Sequence, residues 1–250
     1  MIIDYSQIDS IYNLGGKITN LFKIKEFFNI PKWFIITDNN FDLNELNENY
    51  ISIINSDFYI CRSSMNNEDS YNISYAWLFD SIEWKYSSNL LKNDVEEVFD
   101  SINNSFLDEY EEKVLWKRVE NRKMNVLVQE FIIWEISWVY FSEYSWDRLV
   151  EYIKWTNQFL VDWIVKSNKL ILDKNYDEIS HEKNIQYKFI WENLDIFIFD
   201  ELNNWLSDEN KDKLIKELKR LKTYFNFEID VEWTIKDWEL FILQVRPITK

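Results

Sequence analysis

The sequence predicts an α/β or α+β fold with largely antiparallel strand pairs, and three observations support this prediction. Apolar residues recur at helical spacing in some segments, whereas in others they alternate with polar residues or form short continuous runs. From residue 125 onward, strand-like segments follow one another across short polar turns, as in antiparallel hairpins. The 250 residues, 46% hydrophobic and 29% charged, suffice for one large domain or two small lobes with a substantial core.

The N-terminal segment predicts a helix, a tight turn and a second helix. Its apolar residues recur at helical spacing over residues 6–28, and Gly15 and Gly16 interrupt the pattern. Amphipathic helices are predicted over residues 89–119 and 207–225, where apolar residues recur three and four positions apart. Strands are predicted at residues 34–37, 58–64, 125–132, 135–143, 148–155 and 165–173, followed by a C-terminal hairpin with its turn at residues 236–239.

Charge and cysteine content narrow the classes of function. The formal net charge of −16 argues against a nucleic-acid surface, which requires a clustered basic face. Cys61 is the only cysteine, which excludes an internal disulfide and is typical of a reducing compartment. No signal peptide is visible, and the most apolar window, residues 126–141, contains charged residues and is too short to span a membrane. We therefore expect a cytoplasmic protein without membrane or nucleic-acid partners.

Because the chain is strongly acidic, any anionic ligand must be bound by a few local cations and backbone N–H groups. Residues two apart in a strand face the same side, so Asp230 lies beside Glu232, and Gln244 beside Arg246, in the last hairpin. Such a face could bind a hard divalent cation through oxygen atoms and place an arginine on a phosphate. The alternative is an ordinary solvated hairpin face. Further cations beside predicted loops or strand ends are Lys17 and Arg62.

Four sequence blocks follow one another from residue 14 to residue 249. They are LGGKITNLFKI with FNIPKWFIIT, YICRSSMNNEDSYNISYAWLFDSI, VLVQEFIIWEISWVYFS, and DVEWTIKDWELFILQVRPIT. In this order they resemble the nucleotide-binding domain of the pyruvate phosphate dikinase and phosphoenolpyruvate synthase family. That family has a Leu-Gly-Gly-Lys opening, an Arg-Ser-Ser strand with a phosphate loop, a Val-Gln hinge strand and a C-terminal Leu-Gln-x-Arg-Pro hairpin. Four blocks in one order make the resemblance specific.

The resemblance implies a single ATP-grasp domain over residues 1–250, with lobes of about 1–125 and 126–250 that clamp ATP. It implies a dikinase-type phosphotransferase that splits ATP to AMP and passes a phosphoryl group to a histidine domain. Since the last block ends at residue 249, we expect the phosphohistidine and pyruvate-binding domains to be absent and the histidine domain to be a separate protein acting in trans. The alternative is a non-catalytic ATP-binding regulatory module.

The roles of the family's cationic site residues can be assigned to the positions of this sequence that match its motifs. Lys17 matches the lysine that contacts the nucleotide phosphates, and Arg62 matches the arginine that stabilises charge on the transferring phosphate. Arg246 matches the last phosphate-binding arginine, and Trp77 falls in the phosphate loop. These roles agree with the chemistry of phosphoryl transfer, in which positioning and charge neutralisation matter more than covalent help from the protein.

The resemblance also implies residues for Mg²⁺ and for adenine. Glu232 and Gln244 match the metal-binding pair, and Asp230 lies beside them at the nucleotide. The residues that match the hinge facing adenine are Gln129, Glu130 and Ile132.

Tryptophan is abundant where glycine is expected. The chain has 2 glycines and 13 tryptophans, whereas glycine normally makes up about 7% of residues. Asp237 and Trp238 occupy the last hairpin turn, where Asp-Gly would be the usual pair. We hypothesise that UGA codons were translated as tryptophan for a gene that reads UGA as glycine, so that the glycine version would bind Mg-ATP better than the sequence as written. Tryptophans on such positions are Trp33, Trp77, Trp134, Trp138, Trp146, Trp155, Trp163 and Trp238.

Overall fold

The computed structural model describes residues 1–8, 14–66, 79, 81–103, 105–115, 121–132, 136–154, 167–184, 186–190, 195–199, 208–237 and 239–248. The chain divides into two compact units. Unit 1 comprises Met1–Lys25, Ile30–Ile132 and the last two residues, and unit 2 comprises Glu26–Asn29 and Ile133–Ile248. Each unit is built around its own antiparallel sheet.

Unit 1 contains five strands that form one sheet. They are β1 (Ile2–Asp4), β2 (Trp33–Ile36), β3 (Phe58–Met65), β4 (Ser81–Lys85) and β5 (Met124–Glu130), arranged in the order β1-β2-β5-β3-β4. All of these pairs are antiparallel. The described helices of this unit are α1 (Gly16–Ile24), α2 (Leu43–Asn49), α3 (Ser88–Asp100) and α4 (Ser105–Tyr110), with short 3-10 or π-helical turns at Tyr5–Gln7, Tyr50–Ile54, Ser101–Asn103 and Glu111–Leu115.

An apolar core covers one face of the unit 1 sheet. Side chains from β2, β3 and β5 meet those of α2, α3 and α4 in it. Two of these helices have a side-chain N-cap: Asp42 accepts hydrogen bonds from the backbone N–H groups at the start of α2, and Ser87 accepts one from Leu90 in α3. Each such cap contributes about 1 kcal/mol to helix stability. The core and the caps hold the central strands β3 and β5, which carry predicted site residues.

Unit 2 contains a six-stranded sheet and a separate strand pair. The sheet comprises β6 (Ile136–Tyr144), β7 (Asp147–Lys154), β8 (Asn168–Leu172), β9 (Glu178–Glu182), β12 (Ile229–Lys236) and β13 (Glu239–Pro247), in the order β13-β12-β6-β7-β8-β9. The strands β10 (Gln186–Ile190) and β11 (Asp195–Phe199) pair with each other, and α5 (Asp208–Lys222) precedes the last hairpin.

The predicted fold class is confirmed, because helices accompany two sheets whose strand pairs are antiparallel. The helix predicted over residues 89–119 is divided instead into α3, a 3-10 turn, α4 and a π-helical turn. The sequence did not predict β1, β9, β10 or β11. Among the helices in the described part of the chain, none is long and apolar enough to cross a membrane.

Two hairpin turns in unit 2 adopt backbone conformations that favour glycine. Between β6 and β7, Ser145 and Trp146 have φ values of +48° and +85°, and Trp146 is 82% exposed. Between β12 and β13, Asp237 has a φ of +51°, and the next residue lies outside the described ranges. Two-residue hairpin turns with positive φ at both central positions prefer Asn-Gly or Asp-Gly. The backbone at Trp146 therefore supports the prediction that tryptophan stands there at a glycine position.

The other tryptophans of this hypothesis differ from Trp146. Trp33 and Trp138 lie inside β2 and β6, and neither has a positive φ. Backbone conformation therefore gives no reason for glycine at these two positions, and the argument for them rests on the resemblance alone. Trp77, Trp134, Trp155, Trp163 and Trp238 lie outside the described residues.

Candidate functional site

The predicted site residues fall into two groups, one on each unit. The group on unit 1 comprises Lys17, Arg62, Gln129, Glu130 and Ile132, and the group on unit 2 comprises Asp230, Glu232, Gln244 and Arg246. Trp77, predicted in the phosphate loop, lies outside the described residues.

Lys17 is the second residue of α1, directly after the loop that contains Gly15. Gly15 has φ +83° and ψ 164°, a region that is essentially restricted to glycine. A Cβ atom at Gly15 would lie 2.3 Å from the Oγ of Ser64 and 2.7 Å from the carbonyl oxygen of Met65. The loop backbone therefore lies directly against β3, and it places the half-buried Lys17 at the positive end of the helix dipole.

Arg62 lies in β3, opposite Leu127 of β5 and Ser81 of β4. Its neighbour Cys61 points to the other face of the sheet, into the apolar core. Burial raises the pKa of the Cys61 thiol well above its usual value, with a smaller contribution from the Asp94 carboxylate. Cys61 is therefore a packing residue, whereas the half-buried Arg62 lies on the face that this core does not cover.

The predicted hinge is the end of the central strand β5. Gln129 lies opposite Trp33 of β2 and Ile60 of β3 and is 1% exposed. Its Nε2 atom is buried and has no hydrogen-bond partner within the described part of the chain. The backbone N–H of Glu130 donates to the carbonyl oxygen of Lys32 at 2.8 Å, so it is not available to a ligand. A polar group of a ligand could satisfy the Gln129 amide, whose burial without a partner is costly.

The residue opposite Gln129 is one of the tryptophans at a predicted glycine position. Trp33 is 1% exposed, and its ring stacks on Tyr5 with a distance of 5.4 Å between ring centroids. Directly opposite residues of an antiparallel pair share one face of the sheet. The indole therefore occupies space beside the Gln129 amide that a glycine would leave open.

On unit 2, the last hairpin brings four predicted residues together. Asp230 pairs with Arg246, and Glu232 pairs with Gln244, across β12 and β13. The Nε of Arg246 donates to Oδ2 of Asp230 at 2.6 Å, and the Asp230 side chain is mostly buried. An arginine held by a buried carboxylate keeps a fixed orientation, which is a requirement for a geometry-specific contact with phosphate.

The second pair, Glu232 and Gln244, has the chemistry of a Mg²⁺ site. The side-chain oxygen Oε1 of Gln244 is buried and has no hydrogen-bond partner in the described ranges. Mg²⁺ binds hard oxygen ligands, commonly one or two carboxylates together with substrate phosphates and water. No group of three or more His, Cys, Asp or Glu side chains in the described residues could hold a metal ion. One carboxylate and one amide oxygen could bind a cation that takes its other ligands from phosphate and water.

Sequence reasoning missed two charged residues in the same lateral row of this sheet. The row runs across the strands through Gln244, Glu232, Val139, Glu151 and Lys169. The Nζ of Lys169 lies 2.9 Å from Oε1 of Glu151, and this contact raises the pKa of Lys169. Because the row depends on strand register, spacing along the sequence could not reveal it.

Comparison with known proteins identifies the family whose features the site shares. The sequence model of the pyruvate phosphate dikinase AMP/ATP-binding domain matches residues 43–250. The match includes every predicted site residue except Lys17, which precedes it. No curated protein sequence gives a significant match.

Solved structures with a similar fold include ligases. D-alanine–D-alanine ligase from Bacillus anthracis is 13% identical, with a TM-score of 0.43, over 93% of this chain and 56% of that chain. The Helicobacter pylori ligase is 13% identical, with a TM-score of 0.44, over 95% and 55%. Carboxyaminoimidazole ribonucleotide synthase from Aspergillus clavatus, complexed with ATP, is 8% identical, with a TM-score of 0.45, over 96% and 48%. The chain thus spans about half the length of these proteins, and similarity this low carries no functional argument.

Proposed function

The chain belongs to the pyruvate phosphate dikinase AMP/ATP-binding domain family, and on that premise we propose that it binds Mg-ATP and acts as a dikinase-type phosphotransferase. The acceptor is a histidine domain supplied in trans by a separate protein. ATP is split to AMP; the histidine accepts one phosphoryl group, and water accepts the other, which leaves as inorganic phosphate. The ATP-grasp fold and ATP binding follow from family membership, whereas the acceptor and the products are our proposal.

The observation that carries the proposal is the Glu232–Gln244 pair. The buried carboxylate of Glu232 and the side-chain Oε1 of Gln244 face the same side of adjacent strands, and this Oε1 has no hydrogen-bond partner among the described residues. Leaving such an oxygen unsatisfied costs about 1–3 kcal/mol, which a ligand could offset. A Mg²⁺ ion bound there supplies neutralisation of phosphate charge. Beside this pair, Arg246 is oriented by Asp230 for a phosphate oxygen.

The proposed roles of the unit 1 residues follow from the resemblance to the family. The proposed role of Lys17, at the start of α1, is to bind phosphate oxygens through its ammonium group beside the helix N-terminus. The proposed role of Arg62 is to stabilise charge on the transferring phosphate, because a guanidinium presents several donors in fixed geometry. Gln129, Glu130 and Ile132 would contact the adenine ring. In phosphoryl transfer, positioned charges of this kind account for most of the catalysis.

Calorimetric titration with ATP, with and without Mg²⁺, tests the metal site. We expect Glu232→Gln to weaken Mg-ATP binding by about tenfold or more, because it removes a charged ligand of the cation. Glu239→Gln is the matched control, since Glu239 is an exposed carboxylate on the same hairpin. Equal affinities of the two variants would contradict the assignment.

Incubation with Mg-ATP and a histidine-domain protein encoded near this gene tests the reaction. We expect AMP and phosphohistidine to appear together, and their formation to require both proteins. If ATP binds but no AMP forms with any such partner, the chain is a non-catalytic ATP-binding module instead.

A further inference from the structure

We propose that Ser64 caps α1 from the neighbouring strand β3 and thereby fixes the position of Lys17 relative to Arg62. This inference rests on the proposed function, because it assigns a positioning residue to the phosphate-binding part of the site on unit 1. Ser64 itself contacts neither nucleotide nor metal in this proposal.

The first turn of α1 lacks a cap of its own. Its N-cap residue, Gly15, has no side chain, and the first N–H groups of any helix have no partner within the helix. An N-cap side chain normally accepts a hydrogen bond from the second or third helical residue. The third residue of α1 is Ile18, and its N–H donates to the Oγ of Ser64 at 3.4 Å. Ser64 therefore takes the place of the missing cap.

The same hydroxyl also holds the loop before the helix. The Oγ of Ser64 donates to the carbonyl oxygen of Leu14 at 2.8 Å. Ser64 is fully buried, so water cannot replace these bonds. Gly15 lies between the two bonded backbone groups and approaches Ser64 too closely for any side chain. The Oγ of Ser64 thus binds the backbone on both sides of the Gly15 turn, once as donor to Leu14 and once as acceptor from Ile18.

This attachment links the two cations of unit 1 that are predicted to bind phosphate. Residues two apart in a strand face the same side and lie about 6–7 Å apart along it, so Arg62 and Ser64 project together from β3. Lys17 directly precedes Ile18, whose N–H Ser64 binds. Ser64 therefore sets the spacing between the guanidinium of one element and the ammonium of another. Positioning of this kind matters because phosphate binding needs both charges at fixed distances.

A double-mutant cycle separates positioning from simple stabilisation. In the full chain, we expect Ser64→Ala to raise the Kd for Mg-ATP by about tenfold and to speed exchange of the Ile18 amide proton by a similar factor, the size expected for loss of one cap. In the Lys17→Ala background, Ser64→Ala should leave the Kd unchanged, because its effect acts through Lys17. Ser63→Ala is the matched control, since Ser63 is equally buried but points to the opposite face.

Several outcomes would overturn the proposal. They are an unchanged Ile18 exchange rate in Ser64→Ala, an equal effect of Ser63→Ala on the Kd, or additive effects of the two changes in the double variant. If Ser64→Ala does not fold, Ser64→Cys replaces it, because a thiol fills the position of the hydroxyl but forms weaker hydrogen bonds, and an intermediate shift is expected. A wild-type chain that binds no Mg-ATP would contradict the proposed function and the positioning role, whereas faster Ile18 exchange in Ser64→Ala would still support the cap.

Discussion

Glu232 and Gln244 lie directly opposite each other on adjacent antiparallel strands, and they are 8% and 2% exposed. The Oε1 atom of Gln244 is buried at this position without a hydrogen-bond partner among the described residues, which is unfavourable for an unliganded hairpin. This cost is consistent with the proposal that the hairpin binds a ligand. Single substitutions can test separately how each residue affects the free energy of unfolding and the binding of Mg-ATP.

Replacing Gln244 should separate stability from binding. We expect Gln244→Leu to raise the free energy of unfolding without nucleotide by about 1 kcal/mol, because it removes a buried oxygen, Oε1, that has no hydrogen-bond partner among the described residues. The same change should abolish the additional stabilisation by Mg-ATP, measured as a shift of Tm. Thr234→Val is the control on the neighbouring strand β12: Thr234 is fully buried and its hydroxyl donates to the carbonyl oxygen of Ile136, so this variant should be destabilised. A loss of stability in Gln244→Leu of similar size would contradict the argument.

The two glycines should respond oppositely to alanine. Gly15→Ala should lower the free energy of unfolding by about 2 kcal/mol or more, since its φ of +83° and its approach to Ser64 exclude a Cβ atom. Gly16→Ala should be neutral or slightly stabilising, because Gly16 is the first residue of α1 and alanine favours the helix. Chemical denaturation of both variants tests this, and equal losses would show that the loop adapts.

Trp146→Gly should stabilise the protein. Trp146 has a φ of +85° and is largely exposed, so glycine relieves backbone strain of about 1 kcal/mol or more without removing a buried contact. Trp233→Gly is the control, because Trp233 is fully buried and its loss should cost about 3–5 kcal/mol. The gene gives a second test: UGA codons are expected at position 146 and the other predicted glycine positions, and UGG codons there would refute the codon hypothesis.

His181 should make stability depend on mildly acidic pH. Burial is the main cause that lowers its pKa, and Lys183 and Lys211 add to the effect while Glu178 opposes it. The hydroxyl of Tyr152 lies 2.6 Å from its Nε2, a contact that suits a neutral imidazole as acceptor.

The direction of this pH dependence follows from the lowered pKa. As the pH falls below about 6.5, the unfolded chain binds this proton before the folded chain does, so the free energy of unfolding decreases. Between pH 7 and about 5.5, the free energy of unfolding should decrease less for His181→Gln than for the wild-type chain. Urea denaturation at each pH measures this difference. Identical slopes for both proteins would show that His181 does not contribute.

Local patterns predicted most strands and the pairing within the last hairpin. Side chains alternate with a period of two residues, so the positions of Asp230 and Glu232 on one face could be inferred from spacing alone. The link between Ser64 and Ile18 could not, because it joins residues 46 positions apart through a fold that spacing does not describe. The Glu151–Lys169 contact likewise depends on the register of β7 and β8. The division of the predicted helix after Asp100 had no proline or glycine to signal it.

The short segment Glu26–Asn29 belongs to unit 2, although the chain on both sides of it belongs to unit 1. Its Phe27 and Phe28 pack against Tyr224, at centroid distances of 4.9 Å and 5.5 Å. A protease that cuts once after Ile132 would therefore yield two fragments, neither of which contains a complete unit 2. Recombinant expression of residues 133–248 alone would lack these aromatic contacts, and the missing segment would have to be restored by a circularly permuted or co-expressed polypeptide.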